Sequence, residues 1–454
     1  MVETKIKPQP EKLEAVVIRF VGDSGDGMQL TGTQFSDTSA MFGNDIATFP
    51  NYPSEVRAPQ RNLYGVPGYQ VHIGGVEVST PGHSVDLLVA MNPAALKTNL
   101  YALKPGHTLI VDTDSFNKKN LEKAEYTTNP LEDGSLENFK VIEVDMTSLT
   151  KAALKDVTGL DTKTISRSKN MFSLGMIYWM YNRSTEHTID FFNKKFKAKP
   201  SLVEANTKVL MAGYYFAETL ELIPNSYTIS PAKMPTGTYR IIMGNTATAW
   251  GFLAAAEKSG LELFLGSYPI TPATDILHEL AKHKHFGVKA FQAEDEIAGV
   301  TSAIGASFAG DLAITTTSGP GLALKGEAIG LAIMTELPLV VVNVQRGGPS
   351  TGLPTKTEQS DLLQAMYGRN GESPVIVIAA STPANCFNFA YESARIALEH
   401  MTPVILLTDG YIANGAAPWK IKTVSEMPAI KNNKITEVKE NWHPYDRDEK
   451  TLAR

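Results

Sequence analysis

Short runs of β-branched and aliphatic residues, each ending in a turn and followed by a helical stretch, recur along this chain and constrain its fold more than any other feature. The segment 15-AVVIRFVGDSGDGMQLTG-32 is such a run, turning at glycines and continuing into a helix start, which is the opening of a βα unit. Further runs stand at 85-VDLLVAM-91, 108-TLIVDTD-114 and 140-KVIEVD-145. Alternation of such runs with helices predicts an α/β fold with mostly parallel sheets. A helix-rich region from about 168 to 222 closes the first domain, 1–222, and the Pro, Ser, Thr and Gly content of 223–239 reads as a linker.

The rhythm then restarts. Strands are expected at 240-RIIMG-244, 261-LELFLGSYPITP-272, 288-VKAFQA-293, 311-DLAITTTSGPG-321, 337-LPLVVVNVQR-346, 374-PVIVIAA-380 and 403-PVILLTD-409, with a helix from about 383 to 400 among those between them. They form a second α/β domain over 240–415. From 416 to 454 the sequence turns polar and proline-bearing without clear periodicity, and it reads as an excursion in an incomplete chain.

At 454 residues, 43% of them hydrophobic, the chain can bury two or more cores. No uninterrupted apolar run approaches the ~18 residues of a membrane span, and MVETKIKPQPEKLE is too polar for a secretion signal, so a cytoplasmic protein is expected. A formal charge of −6 argues against a nucleic-acid binder that works by neutralising phosphates. The one cysteine, Cys386, excludes an internal disulfide and a cysteine-ligated iron–sulfur cluster, which must then sit on a partner. The nine histidines form no HExxH or His/Cys group, so no zinc or other metal site is assigned.

Several stretches carry chemistry. In 22-GDSGDG-27, Gly22, Gly25 and Gly27 form a turn ahead of a helix that could cradle an anion, although the order departs from the dinucleotide fingerprint and two aspartates would repel a pyrophosphate. Gly25-Asp26-Gly27 with Asn51 echoes the motif that holds magnesium and the diphosphate of thiamine diphosphate; a packing turn is the simpler reading. In 292-QAEDEIAGVTSAIGASFAG-310 three carboxylates end a strand and open a small-residue helix. Thiamine diphosphate enzymes need one glutamate on the aminopyrimidine ring, and Glu296 is assigned that part, with Glu294 the alternative. Arg346 ends a parallel strand, where open α/β sheets bind ligands, and its planar fork suits a carboxylate; Thr351, Thr355 and Lys356 follow on the same loop. The loop Tyr268-Pro269-Ile270-Thr271-Pro272 follows another strand, and its prolines fix φ at the mouth of a helix, on the same edge as Arg346.

YPITPATD, QAEDEIAG, TTTSGPG and VNVQRGGPSTGLPTKTEQSDL, in that order, resemble the 2-oxoacid:ferredoxin oxidoreductases, and most closely the α subunits of those acting on 2-oxoglutarate, in which a γ-type domain precedes a pyrimidine-binding domain. The glycine loop and 50-PNYPSEVR-57 resemble the γ-type domain. The resemblance implies that Glu296 activates thiamine diphosphate seated against Tyr268, Pro269, Ile270 and Thr271, that Thr271 and Arg346 meet the 2-oxoacid carboxylate, and that the loop around Thr355 influences side-chain choice. It further implies a β subunit carrying Mg²⁺, the diphosphate site and an iron–sulfur cluster, coenzyme A as acyl acceptor, ferredoxin as electron acceptor, and a further domain beyond residue 416. The expected reaction turns 2-oxoglutarate and coenzyme A into succinyl-CoA and CO₂. Pyruvate or a broad range of 2-oxoacids is the alternative substrate, and a nucleotide-binding, non-catalytic subunit the alternative role.

Overall fold

Two six-stranded sheets organise the described residues, one in each of the units Met1–Thr236 and Gly237–Arg454. The structure is a computed structural model and describes residues 10–23, 25–53, 63–220, 226–435, 437 and 440–452. The first unit holds strands β1 (Glu11–Leu13), β2 (Ala15–Val21), β3 (Asp45–Asn51), β4 (Gly68–Gly74), β5 (Val85–Ala90), β6 (Leu103–Asp112), β7 (Lys140–Val144) and β8 (Tyr227–Ile229). Its sheet runs β3-β4-β2-β5-β6-β7. The runs read as strands from the sequence are the parallel members β2, β5, β6 and β7.

Strands β3 and β4 were not expected. They pair antiparallel with each other, and β4 pairs antiparallel with β2, so the sheet is mixed. Pro50, Gly68 and Gly74 disguise them as loop, and Pro50 is tolerated because β3 is an edge strand. The stretch read as a linker also carries structure, since β8 pairs in parallel with β1. Residues 54–57 of the PNYPSEVR motif and Ser24 of the glycine loop lie outside the described residues.

Helices Lys169–Met180 and Pro200–Thr219 approach backbone to backbone in this unit. A Cβ on Gly175 would lie 2.0 Å from the Leu210 carbonyl oxygen, and one on Gly213 would lie 2.0 Å from the Phe172 carbonyl oxygen. Only glycine fits at either crossing point, because neither neighbour is a flexible side-chain end.

The second unit holds β9 (Tyr239–Met243), β10 (Leu263–Ser267), β11 (Val288–Gln292), β12 (Leu312–Thr317), β13 (Leu339–Gln345), β14 (Ile376–Ala379), β15 (Pro403–Asp409) and β16 (Ala416–Lys420). Six of these form a parallel sheet in the order β11-β10-β12-β13-β15-β14. Every residue of β12, β13 and β15 is buried, as continuous apolar runs predict. Alternate residues serve opposite faces. Val340, Val342, Val404 and Leu406 join the core under helices Gly244–Ser259 and Cys386–His400, while Leu339, Val341, Ile405 and Leu407 join the core under helices Glu296–Phe308 and Gly326–Met334.

Strand β9 stands apart from this sheet. It pairs antiparallel with β16, which forms inside the segment whose sequence shows no periodicity. Side-chain burial accounts for it: the Trp419 ring packs 4.9 Å from Phe387 and 6.0 Å from Trp250.

Gly213→Ala is expected to destabilise the chain by about 1–3 kcal/mol, because the added methyl forces two packed helices apart. A urea midpoint unchanged from the parent would show that these helices do not meet as closely as described.

Candidate active site

Strand order reverses beside β10, which pairs with β11 on one side and β12 on the other. The connections leaving the carboxyl ends of these strands diverge there, and such a reversal leaves the crevice in which open α/β sheets bind ligands. Four segments end in it: the loop after β10 (Tyr268 to Pro272), the start of helix Glu296–Phe308, the end of β12 (Thr317) and the end of β13 (Arg346).

Tyr268 is the pivot. Its ring is buried, its hydroxyl lies 2.9 Å from Thr317 Oγ1, and it lies close enough to Glu296 to be shifted by that carboxyl group. Burial raises the phenol above its ordinary range, the Thr317 hydroxyl opposes this, and Glu296 adds to the rise. Glu296 is half-buried at the first position of its helix, whose N-cap, Asp295, accepts from the Ala298 amide at 2.8 Å. Glu294 and Asp295 are exposed, so of the three carboxylates only Glu296 turns into the crevice. The structure therefore separates the two glutamates that sequence alone left open.

Arg346 is 7% exposed. It donates to the Thr271 carbonyl and to the Thr351 carbonyl, each at 2.8 Å, which ties the loop after β10 to the loop after β13. Its Nε is buried without a partner among the described residues. Burial lowers the guanidinium pKa, while Tyr268 and Glu296 oppose that shift. The Thr271 side chain and Pro269 are exposed at the crevice, Ile270 is buried, and the Ile270 amide donates to Thr274 Oγ1 at 2.8 Å. Thr355 lies half-buried in a loop closed by the Gly347 amide donating to the Lys356 carbonyl and the Leu353 amide donating to the Gly347 carbonyl, both 2.8 Å.

Two residues of the site were not read from the sequence. Gly321 leaves room for the Tyr268–Glu296 contact: a Cβ there would stand 2.0 Å from Thr317 Oγ1, 2.3 Å from the Tyr268 hydroxyl and 3.0 Å from Glu296 Cγ. Lys325, at the joint of helices Gly319–Leu324 and Gly326–Met334, is fully buried. Its Nζ donates to the Glu296 carbonyl at 2.8 Å and to Thr315 Oγ1 at 3.1 Å, and sits 5.2 Å from the centre of the Tyr268 ring. A lone lysine inside the apolar run GLALKGEAIG was the available signal. The Ser318 hydroxyl, next to Thr317, is also buried and unpartnered among the described residues. The arrangement thus offers a carboxylate and a buried cation with an open donor, with no room for a side chain at position 321 between Thr317, Tyr268 and Glu296.

The glycine loop belongs to the first unit. Gly25 and Gly27 have φ of +107° and +75°, values that glycine alone adopts without strain. The Asp23 amide donates to Asp26 Oδ2 at 2.8 Å and the Asp26 amide to the Asp23 carbonyl at 2.9 Å. Both amides are therefore satisfied within a loop that carries two carboxylates, and Gly22, Gly25 and Gly27 read as a tight turn. Among the described residues no group of three or more His, Cys, Asp or Glu is placed to hold a metal ion, and no helix is long and apolar enough to cross a membrane.

The chain resembles known proteins over both units. A family model described as pyruvate flavodoxin/ferredoxin oxidoreductase, thiamine diphosphate-binding, matches residues 255–453, and one described as pyruvate ferredoxin/flavodoxin oxidoreductase matches residues 17–216. The 2-oxoglutarate oxidoreductase subunit KorA of Mycobacterium tuberculosis is 55% identical over 98% of this chain and 68% of its own length. The α subunit of 2-oxoacid:ferredoxin oxidoreductase 1 from Sulfurisphaera tokodaii is 29% identical over 84% of this chain and 64% of its own length. Among solved structures, 2-oxoglutarate:ferredoxin oxidoreductase from Magnetococcus marinus, with 2-oxoglutarate, coenzyme A and succinyl-CoA bound, superposes with a TM-score of 0.82 at 30% identity, over 97% of this chain and 71% of that one. The chain thus spans about two thirds of the length of these relatives.

Burial pushes the Lys325 ammonium down to about 8 from an ordinary 10.5, with Glu296 and then Asp295 opposing the shift. Between those two values the unfolded chain holds a proton that the folded chain has lost, so the free energy of unfolding rises with pH through that window. The cost of the buried charge is fully present below about 8. Urea midpoints at pH 7.5 and 9.5 should show the parent chain gaining about 1–2 kcal/mol on the Lys325→Met variant. A difference that does not change with pH would contradict the burial of this charge.

Proposed function

The chain belongs to the thiamine diphosphate-dependent 2-oxoacid oxidoreductase family, among its KorA-type α subunits, and we propose that it forms half of a heteromeric enzyme that oxidatively decarboxylates 2-oxoglutarate. The observation that carries this reading is the convergence of Glu296, Tyr268 and Arg346 at the strand-order reversal of the second unit. In the proposed reaction 2-oxoglutarate and coenzyme A give succinyl-CoA and CO₂, and two electrons leave one at a time for ferredoxin. The substrate assignment is supported by the 2-oxoglutarate named for the mycobacterial and Magnetococcus relatives.

Thiamine diphosphate, when bound, would supply the nucleophilic carbon and the electron sink that decarboxylation of a 2-oxoacid needs. Glu296 would hydrogen-bond the aminopyrimidine ring through its carboxyl group, and Tyr268, Pro269, Ile270 and Thr271 would hold that ring. Tyr268 keeps that carboxyl aimed, since its hydroxyl is fixed from the other side by Thr317. Arg346 and the Thr271 hydroxyl orient the 2-oxoacid carboxylate, and a buried guanidinium binds a carboxylate more strongly than an exposed one because water competes less. Thr355 and its loop line the part of the pocket that meets the substrate side chain.

A β subunit completes the enzyme in this proposal. It carries Mg²⁺, the diphosphate contacts and the iron–sulfur cluster that a chain with a single, buried cysteine cannot hold. The glycine loop of the first unit is given no coenzyme A contact in this proposal, because the Asp23 amide already donates to the Asp26 carboxylate.

The test is 2-oxoglutarate- and coenzyme A-dependent reduction of a low-potential dye by the chain together with its partner. Activity on 2-oxoglutarate well above that on pyruvate is expected, and the reverse preference would move the substrate assignment. Glu296→Gln should lower kcat by at least about 100-fold with an unchanged melting temperature. Arg346→Ala should raise KM for 2-oxoglutarate by about 10- to 100-fold. Near-normal kinetics in either variant would remove that residue from the mechanism.

A further inference from the structure

Lys325 is the largest charged side chain that the fold buries completely, and the proposed chemistry gives it no task. Its position is costly twice over. A buried ammonium forfeits hydration, and this one lies at the first turn of helix Glu296–Phe308, the end where the helix dipole disfavours cations. Packing does not require it, since a methionine of similar length would fill the same apolar seat. What the charge gains is a grip on one residue: Nζ donates to the main-chain carbonyl of Glu296 at 2.8 Å, is steadied by Thr315 Oγ1 at 3.1 Å from β12, and is roofed by the Tyr268 ring at 5.2 Å. Tyr268 also bears electrostatically on Glu296, so lysine and tyrosine both border the same glutamate.

We propose that Lys325 is a positioning residue for Glu296, fixing its main chain through the carbonyl and setting a buried positive charge beside its carboxyl group. This rests on the reading of Glu296 given above. The charged and titratable groups facing the pair are Asp295 on the same helix, Tyr268 from the loop after β10 and Arg346 from the end of β13. Asp295 is exposed and committed to capping the Ala298 amide, and Arg346 is committed to the carbonyls of Thr271 and Thr351. Of the two cations near Glu296, Lys325 alone holds its main chain.

The inference is tested without turnover. The complex of the chain with its partner subunit, loaded with thiamine diphosphate in heavy water, is sampled over pH for the rate at which the thiazolium C2 proton of the cofactor exchanges. Removing a neighbouring positive charge raises the pKa of a carboxyl group, so in Lys325→Met the acid limb of the exchange profile should move up by about one pH unit. Lys325→Arg keeps the charge and should restore the parent limb. Lys325→Gln, polar but uncharged, should behave as the methionine variant does and stands in if that variant fails to fold. An acid limb that stays in place in both neutral variants overturns the proposal, whatever happens to the overall rate, because a merely structural lysine would lower the rate without moving the limb. Glu296→Gln separates the two readings: it should slow exchange at least tenfold at every pH, and exchange at the parent rate would overturn the role of Glu296 itself.

Discussion

The reversal of strand order at β10 is the constraint on which the second unit depends. A strand flanked by β11 on one side and β12 on the other sends its following segment one way while the next connection runs the other, and no helix can cover the gap left at their carboxyl ends. Everything chemically distinctive in the unit borders that gap. Tyr268 begins one segment, Glu296 opens the helix that returns from β11 to β12, Thr317 ends β12, and Arg346 ends its neighbour β13. The crevice is thus a topological necessity of the sheet, and two of the side chains around it, Thr317 and Arg346, stand at the ends of strands that are buried from end to end.

Within that crevice the fold accepts two buried cations, Lys325 and Arg346, and satisfies each with backbone carbonyls rather than carboxylates. A carbonyl neutralises no charge. Both cations therefore keep their field available to whatever enters, and Glu296 is the acidic group best placed to feel it. Such a site is less stable than an apolar one of the same shape and better prepared for an anionic ligand, the usual exchange of stability for preorganisation.

Much of this was legible in the sequence, for physical reasons that differ by element. Strands β12, β13 and β15 announce themselves because burial on both faces demands unbroken apolar runs. Arg346 and the Tyr268 loop could be placed because they sit directly at the ends of such runs. The antiparallel pair β3 and β4 was hidden by prolines and glycines that an edge tolerates, and β16 by its brevity, its stability coming from one tryptophan packed on residues far away in sequence. Lys325 was invisible for a related reason: its significance lies in the partners that surround Nζ, and no spacing rule connects it to Glu296 29 residues earlier. Gly321 reads as a turn residue, and only three side chains converging on its missing Cβ reveal another purpose.

The small β9–β16 ribbon closes the second unit on itself. The first strand of the unit and its last lie side by side, with Met243 opposite Ala416 and Tyr239 opposite Lys420, so the stretch that opens the unit is held by one that follows the whole parallel sheet. The chain then continues and adds Met427 and Ile430 to the core shared by Phe252, Phe387 and Tyr391. Residues beyond β16 are therefore part of the packing of this unit, and a cut after Lys420 would strip apolar cover from that core.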